Sequence, residues 1–102
     1  MKKIRAILVD DEEGARDVLE NLLLRFCPDV ELIAKCNHVL QAVDVINKEQ
    51  PDLVFLDIEM PNYSGFEIVT FFKDLNFEII FVTAYDQYAI RAFEIAAIDY
   101  LL

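Results

Sequence analysis

Short apolar runs and stretches of helical spacing take turns along this chain. Ile4 to Val9 reads as a strand. Ala15, Val18, Leu19, Leu22, Leu23 and Phe26 then recur at helical spacing, and Pro28 marks the stop. Val30 to Ala34 is a second, weaker strand, and Val39, Ala42, Val43 and Ile46 form a second helix that closes before Pro51. Leu53 to Leu56 is wholly apolar, as expected of a strand covered on both faces. Ser64-Gly65-Phe66-Glu67 has the pattern of a capping box and predicts a third helix through about Asp74. Glu78 to Val82 is a fourth strand. Asp86 can cap a fourth helix with Ala89, Ala92, Phe93 and Ala96 on its inner face, and Ile98 to Leu102 is a fifth strand.

Strands alternating with helices imply right-handed crossovers and an α/β fold with a doubly wound parallel sheet. For a chain of this size the expected arrangement is flavodoxin-like, five strands in the order 2-1-3-4-5. No repeat, low-complexity tract or linker interrupts it, so residues 1–102 are expected to form one domain. Such a sheet needs helices on both faces, and a last helix after the fifth strand is absent from this sequence. The expectation is a domain truncated after that strand, with an apolar face covered by further sequence or another chain.

Strand ends carry the candidate chemistry. Asp10, Asp11, Glu12 and Glu13 follow the run Ile7-Leu8-Val9, and Asp57 follows Leu53 to Leu56. In the expected strand order, strands one and three are neighbours, and ligands of such sheets sit beyond the carboxyl ends of the strands. Asp10, Asp11 and Asp57 therefore meet at one edge, with Thr83 at the end of strand four. Grouped carboxylates repel each other unless a cation joins them. Oxygen donors favour Mg²⁺, or Mn²⁺ in its place, and Mg²⁺ commonly adds phosphate oxygens to one or two carboxylates. Asp57 is then either a metal ligand or a nucleophile that forms an acyl phosphate. A Thr83 hydroxyl can bond a phosphoryl oxygen, though threonine is also an ordinary strand residue. Glu12 and Glu13 have the plainer role of acids at a helix N-terminus.

Composition narrows the partners. A net charge of −10 with scattered basic residues argues against direct nucleic-acid contact by this chain. The longest apolar stretches, such as Glu78 to Ala84, are far too short to span a bilayer. Met1-Lys2-Lys3-Ile4-Arg5 runs straight into a strand without a cleavage site, so a cytoplasmic location is expected. Cys27 and Cys36 lack the spacing of a zinc or redox pair and read as reduced fillers. His38, the only histidine, fits the start of a helix better than a site.

Taken together, these residues resemble the receiver domain of two-component response regulators. Asp10-Asp11 matches the family's acidic pair, Asp57 its phosphoacceptor, Met60-Pro61 and Gly65 the following loop, Thr83-Ala84 the hydroxyl pair, and Tyr100 the aromatic switch. The match runs from about Ile4 to Leu102. Residues 82–89 and 96–102 further resemble receivers attached to LytTR-type DNA-binding domains.

The resemblance implies a mechanism. A sensor histidine kinase presents a phosphohistidine and Asp57 attacks its phosphorus. Asp11 binds Mg²⁺ directly, Asp10 largely through water, and the main-chain carbonyl of Glu59 completes the protein ligands. Thr83 and Tyr100 then shift, remodelling the fourth helix and fifth strand, a surface that can also carry a homodimer. Glu59 and Tyr85 occupy positions that tune the lifetime of the phosphoryl group. The output domain, DNA-binding by this likeness, lies outside the chain. The family also places a lysine just after the fifth strand. This sequence stops at Leu102, and none of Lys2, Lys3, Lys35, Lys48 and Lys73 stands at a matching position. A switch domain rather than a turnover enzyme is the leading expectation. A Mg²⁺-dependent phosphohydrolase using Asp57, or a receiver-like module that only binds partners, are the alternatives.

Overall fold

A computed structural model of the chain describes residues 3–58, 60 and 63–82, together with the main chain of 99–101. Strand β1 (Ile4–Val9), helix α1 (Glu13–Phe26), β2 (Val30–Cys36), α2 (Val39–Glu49) and β3 (Leu53–Leu56) follow one another. A 3-10 helix (Gly65–Phe71), β4 (Glu78–Val82) and β5 (Asp99–Leu101) complete the described elements. The strands form one parallel sheet in the order β2-β1-β3-β4-β5, as the sequence pattern predicts. The predicted fourth helix, with Asp86, Ala89, Ala92, Phe93 and Ala96, lies outside the described residues.

Alternation along each strand sorts the core into two layers. Ile7, Val9, Val54, Leu56, Ile79 and Phe81 face α2 and the 3-10 helix, meeting Val39, Ala42, Ile46, Phe66 and Ile68. Ala6, Leu8 and Phe55 face the other way and pack on Leu23 of α1, with Leu19, Ile80 and Val82 at the margin. Among the described residues only α1 covers this second face. A groove of about 480 Å³ opens there between α1 and the sheet, lined by Leu8, Ala15, Val18, Leu19, Leu22 and Val82, and it reaches Asp10 and Asp57.

His38 caps α2, its Nδ1 accepting the Gln41 N–H at 3.2 Å. Gln50 ends that helix in the left-handed region at φ 49°. β2 runs two residues beyond its predicted end. Its register against β1 slips between Ala6 and Ile7, where Leu32 and Ala34 are the successive partners and Ile33 is the extra residue. Such a bulge kinks an edge strand.

The third helix departs from expectation. It is a 3-10 helix ending at Phe71, and the Ser64 side chain makes no capping bond. Ile68-Val69-Thr70 is a β-branched run followed by Phe71 and Phe72, residue types that lose rotamer freedom against an α-helical turn. Thr70 Oγ1 also donates to the Glu67 carbonyl at 2.6 Å, three residues back. The backbone settles into the tighter i to i+3 pattern, seen in Glu67 N–H donating to Ser64 O at 3.0 Å.

Candidate metal and phosphoryl-transfer site

Register places the acids. Val9 pairs with Leu56 across β1 and β3, so Asp10 and Asp57 leave the sheet side by side. The ladder continues through both: Asp57 N–H donates to Val9 O at 2.9 Å, and Asp10 N–H to Cys36 O at 3.0 Å. Asp10 then turns the chain by accepting the Glu12 N–H on Oδ1 at 3.0 Å, which aims Asp11 across the strand ends. One carboxylate oxygen from each of Asp10, Asp11 and Asp57 lies within 4.8 Å of the others.

That donor set fits a hard cation. Opposite ligands of an octahedral Mg²⁺ stand about 4.2 Å apart, so three oxygens gathered this closely can surround one ion with little closing. Burial raises the Asp10 pKa above its ordinary carboxylate value, and the charges of Asp11 and Glu12 push the same way. The Glu12 N–H and, least of all, the Arg16 charge oppose them. A divalent cation relieves the repulsion that a proton otherwise relieves.

Gly65 closes the other side of the site. Its N–H donates to Ile58 O at 2.6 Å. A Cβ built on it would collide with the main-chain carbonyl oxygen of Asp57 and come within 3.0 Å of the Ile58 Cα. Ile58 and Met60 are buried beneath this turn. The loop that carries Asp57 is therefore anchored on both sides, by β1 and by the start of the 3-10 helix.

The structure unites Asp10, Asp11 and Asp57, as the strand-end pattern predicts. Glu59 and Thr83 lie outside the described residues. The main chain of Tyr100 lies in β5 opposite Phe81, and its side chain is outside the description. One residue escaped the sequence reading. Arg16 of α1 reaches back with Nη1 to the main-chain carbonyl of Asp10 at 2.7 Å, in partly buried surroundings. The available signal was a single cation, six residues past Asp10, in an otherwise acidic first stretch of helix.

A family profile described as the response regulator receiver domain matches residues 6–102. The chain belongs to this family. It is 45% identical over 101 residues to the sensory transduction protein LytT of Bacillus anthracis, across 97% of this chain and 41% of the relative. It is 44% identical over 100 residues to the transcriptional regulatory protein BtsR of Salmonella typhi, with the same two coverages. Thus the chain spans about two fifths of the length of these curated relatives. Among solved structures it is similar to the response regulator protein TrrA of Thermotoga maritima in complex with Mg(2+)-BeF. The TM-score is 0.84 at 33% identity, covering 100% of this chain and 86% of that one. Receiver domains are signalling domains of two-component systems, which bears out the expected family, fold and general role of the chain. No described helix is long and apolar enough to cross a membrane.

Proposed function

We propose that Asp57 is the phosphoacceptor of this receiver and that Asp10 and Asp11 hold a divalent cation, Mg²⁺ in the cell, beside it. The observation that carries this reading is the convergence of three carboxylates from two adjacent strand ends on one point. A carboxylate oxygen of Asp57 attacks the phosphorus of a phosphohistidine on a sensor kinase. The new O–P bond forms as the P–N bond breaks, and the imidazole leaves with its electron pair and takes a proton from water. The cation, when bound, offsets negative charge on the phosphoryl oxygens. Asp10 and Asp11 orient it from β1, while the anchored loop keeps Asp57 in place for attack. A relative bound to Mg(2+)-BeF supports a cation and a small anion as joint occupants of this fold.

Glu59, through its main-chain carbonyl, is the further metal ligand of this reading. Thr83 bonds a phosphoryl oxygen, and Tyr100 is the aromatic that responds to it. The relatives are longer than this chain, and one of them is a transcriptional regulatory protein, which supports an output domain beyond the receiver. In this reading it is DNA-binding, as the likeness to LytTR-type regulators implies, and acts in the cytoplasm. The fourth helix and β5 are the surface for homodimer formation.

Intact mass after incubation with Mg²⁺ and a small acyl-phosphate donor tests the phosphoacceptor. One phosphoryl group is expected on the parent chain and none on Asp57→Asn. An equal adduct on both proteins, or none on the parent, refutes the assignment. Sustained release of phosphate over many turnovers would instead identify a phosphohydrolase.

A further inference from the structure

The peptide that joins Asp10 to Asp11 decides where two of the three carboxylates point. The segment around it is held by three hydrogen bonds, one of which falls on this peptide. Asp10 N–H donates to Cys36 O, Glu12 N–H donates to Asp10 Oδ1, and Arg16 Nη1 donates to Asp10 O at 2.7 Å. The first two bonds are made by the main chain of β2 and of the turn. The third comes from a side chain of α1, and it falls on the carbonyl of the Asp10–Asp11 peptide itself. Rotation of that peptide plane would break the Arg16 bond and swing the two side chains apart. A guanidinium bonding a partly buried carbonyl is a charge-assisted bond, stronger than a neutral one.

Charge alone gives Arg16 the opposite effect. A fixed cation beside three carboxylates repels a second cation, so removing it would strengthen divalent binding. The two effects differ in sign, which makes them separable. Lys35 supplies the comparison. It is another cation on this side of the sheet, extending from β2 to α1, but its ammonium is exposed and paired with Glu20 at 2.9 Å rather than with the Asp10–Asp11 peptide.

We propose that Arg16 is a positioning residue of the metal site: its guanidinium holds the Asp10–Asp11 peptide so that both carboxylates converge with Asp57 on one divalent cation. The inference rests on the reading of Asp10, Asp11 and Asp57 as metal ligands. It assigns to α1 a part in site assembly beyond covering the sheet.

The test is the Mn²⁺ dissociation constant, read from the paramagnetic signal of unbound Mn²⁺ at a temperature where every variant is folded. Arg16→Met is expected to bind about tenfold more weakly, the smaller effect seen when a partner that orients metal ligands is removed. Arg16→Lys, which keeps the charge but loses the planar fork, should fall between it and the parent. Lys35→Met, which removes the same charge without touching the peptide, should bind as tightly as the parent or tighter. A merely structural role for Arg16 would lower the unfolding midpoint and leave the constant of the folded protein unchanged. An Arg16→Met chain that binds Mn²⁺ as well as the parent overturns the proposal. Should that variant fail to fold, a folded Arg16→Lys with parental affinity overturns it equally. If the parent binds no more Mn²⁺ than Asp11→Asn, the metal site itself is refuted and the inference falls with it. A binding parent beside an undiminished Arg16→Met refutes the inference alone.

Discussion

The α-carbon of Gly65 lies against the main-chain carbonyl oxygen of Asp57, leaving no space for a side chain between them. Neither glycine of the chain has a positive φ, so Gly65 is needed for room and not for an unusual backbone angle. The contact joins the candidate phosphoacceptor directly to the first residue of the 3-10 helix.

Gly65→Ala must therefore push the Asp57 loop or the 3-10 helix aside. We expect a loss of about 1–3 kcal/mol in urea unfolding, the usual cost of overpacking, and slower phosphoryl uptake from the small-molecule donor. Gly14 supplies the contrast, since a Cβ there meets nothing within 4 Å. Gly14→Ala, in the first turn of α1, should stabilise the chain by up to about 0.5–1 kcal/mol with uptake unchanged. Equal destabilisation by both would show that the contact at Asp57 has no special weight.

The same contrast between local pattern and close contact decides what was legible in the sequence. β1, β3 and β4 have the predicted bounds because their inner residues, Ala6 to Val9, Leu53 to Leu56 and Ile79 to Val82, are unbroken apolar runs. β2 is an edge strand, and its last residues Lys35-Cys36 break the apolar run although the ladder continues through them. The capping-box pattern at Ser64 misled because it is local. Thr70 and its β-branched neighbours set the helix type from the other end. Asp10, Asp11 and Asp57 were readable because acids that end buried strands have few structural uses. Arg16 was not, because a cation on an amphipathic helix has the pattern of an ordinary solvent-facing residue. Its role depends on where the side chain folds back, which spacing alone does not reveal.

Asp10 links the site to pH. Burial, then repulsion from Asp11 and Glu12, raises its pKa in the folded chain above the ordinary 3.8. Without a divalent cation, the proton therefore favours the folded form. This stabilising contribution is present below the unfolded value and is lost as pH rises through the folded one. A divalent cation requires the ionised carboxylate, so its effect has the opposite slope. The rise in unfolding midpoint caused by Mg²⁺ should be small at and below the ordinary carboxylate value of 3.8 and grow as pH rises through the raised folded value and Asp10 ionises. At a hundredfold excess over the dissociation constant it corresponds to about 2.7 kcal/mol. Asp10→Asn should raise metal-free stability at neutral pH and blunt the Mg²⁺ response. Midpoints measured with and without Mg²⁺ across this range check both signs, and a response independent of pH would refute them.

Cys36 is 1% exposed at the end of β2, and burial pushes its thiol up to about 11, with Arg16 pulling weakly the other way. Near pH 8 about one thiol in a thousand is then ionised, and thiolate is the reactive form. Alkylation of the folded chain should therefore label half-buried Cys27 first and leave Cys36 unmodified until denaturant is added. Because the folded pKa is raised, the contribution of Cys36 to stability is intact below pH 9.0 and is lost as pH climbs toward about 11. Peptide mass mapping after a timed alkylation checks the order. Equal labelling of both cysteines in the folded protein would contradict the burial that sets it.

Arg5 clamps the opposite end of the sheet, about 16–17 Å from Asp10 along β1 at ordinary strand rise. Its Nη1 donates to Glu49 O at 2.6 Å and to Gln50 O at 3.3 Å, and Nη2 meets Glu49 Oε2 at 3.1 Å. The carbonyls at the end of α2 thereby gain a cation, which the helix dipole favours. The main chain of Arg5 completes the corner: its N–H donates to Asp52 Oδ2 at 2.9 Å, and its carbonyl accepts the Asp52 N–H at 2.8 Å. Arg5→Met removes only the side-chain bonds. The exposed ion pair with Glu49 contributes little, so the expected loss is about 1 kcal/mol, mostly from the carbonyl bonds. Mn²⁺ affinity should stay at the parental value, because the register that aligns Asp10 with Asp57 is held by the ladder from Ala6 to Val9. Urea unfolding and Mn²⁺ titration of the same variant separate the two quantities. A weakened affinity at parental stability would show that the two ends of β1 communicate through the strand, and that the site is not assembled by its own loop alone.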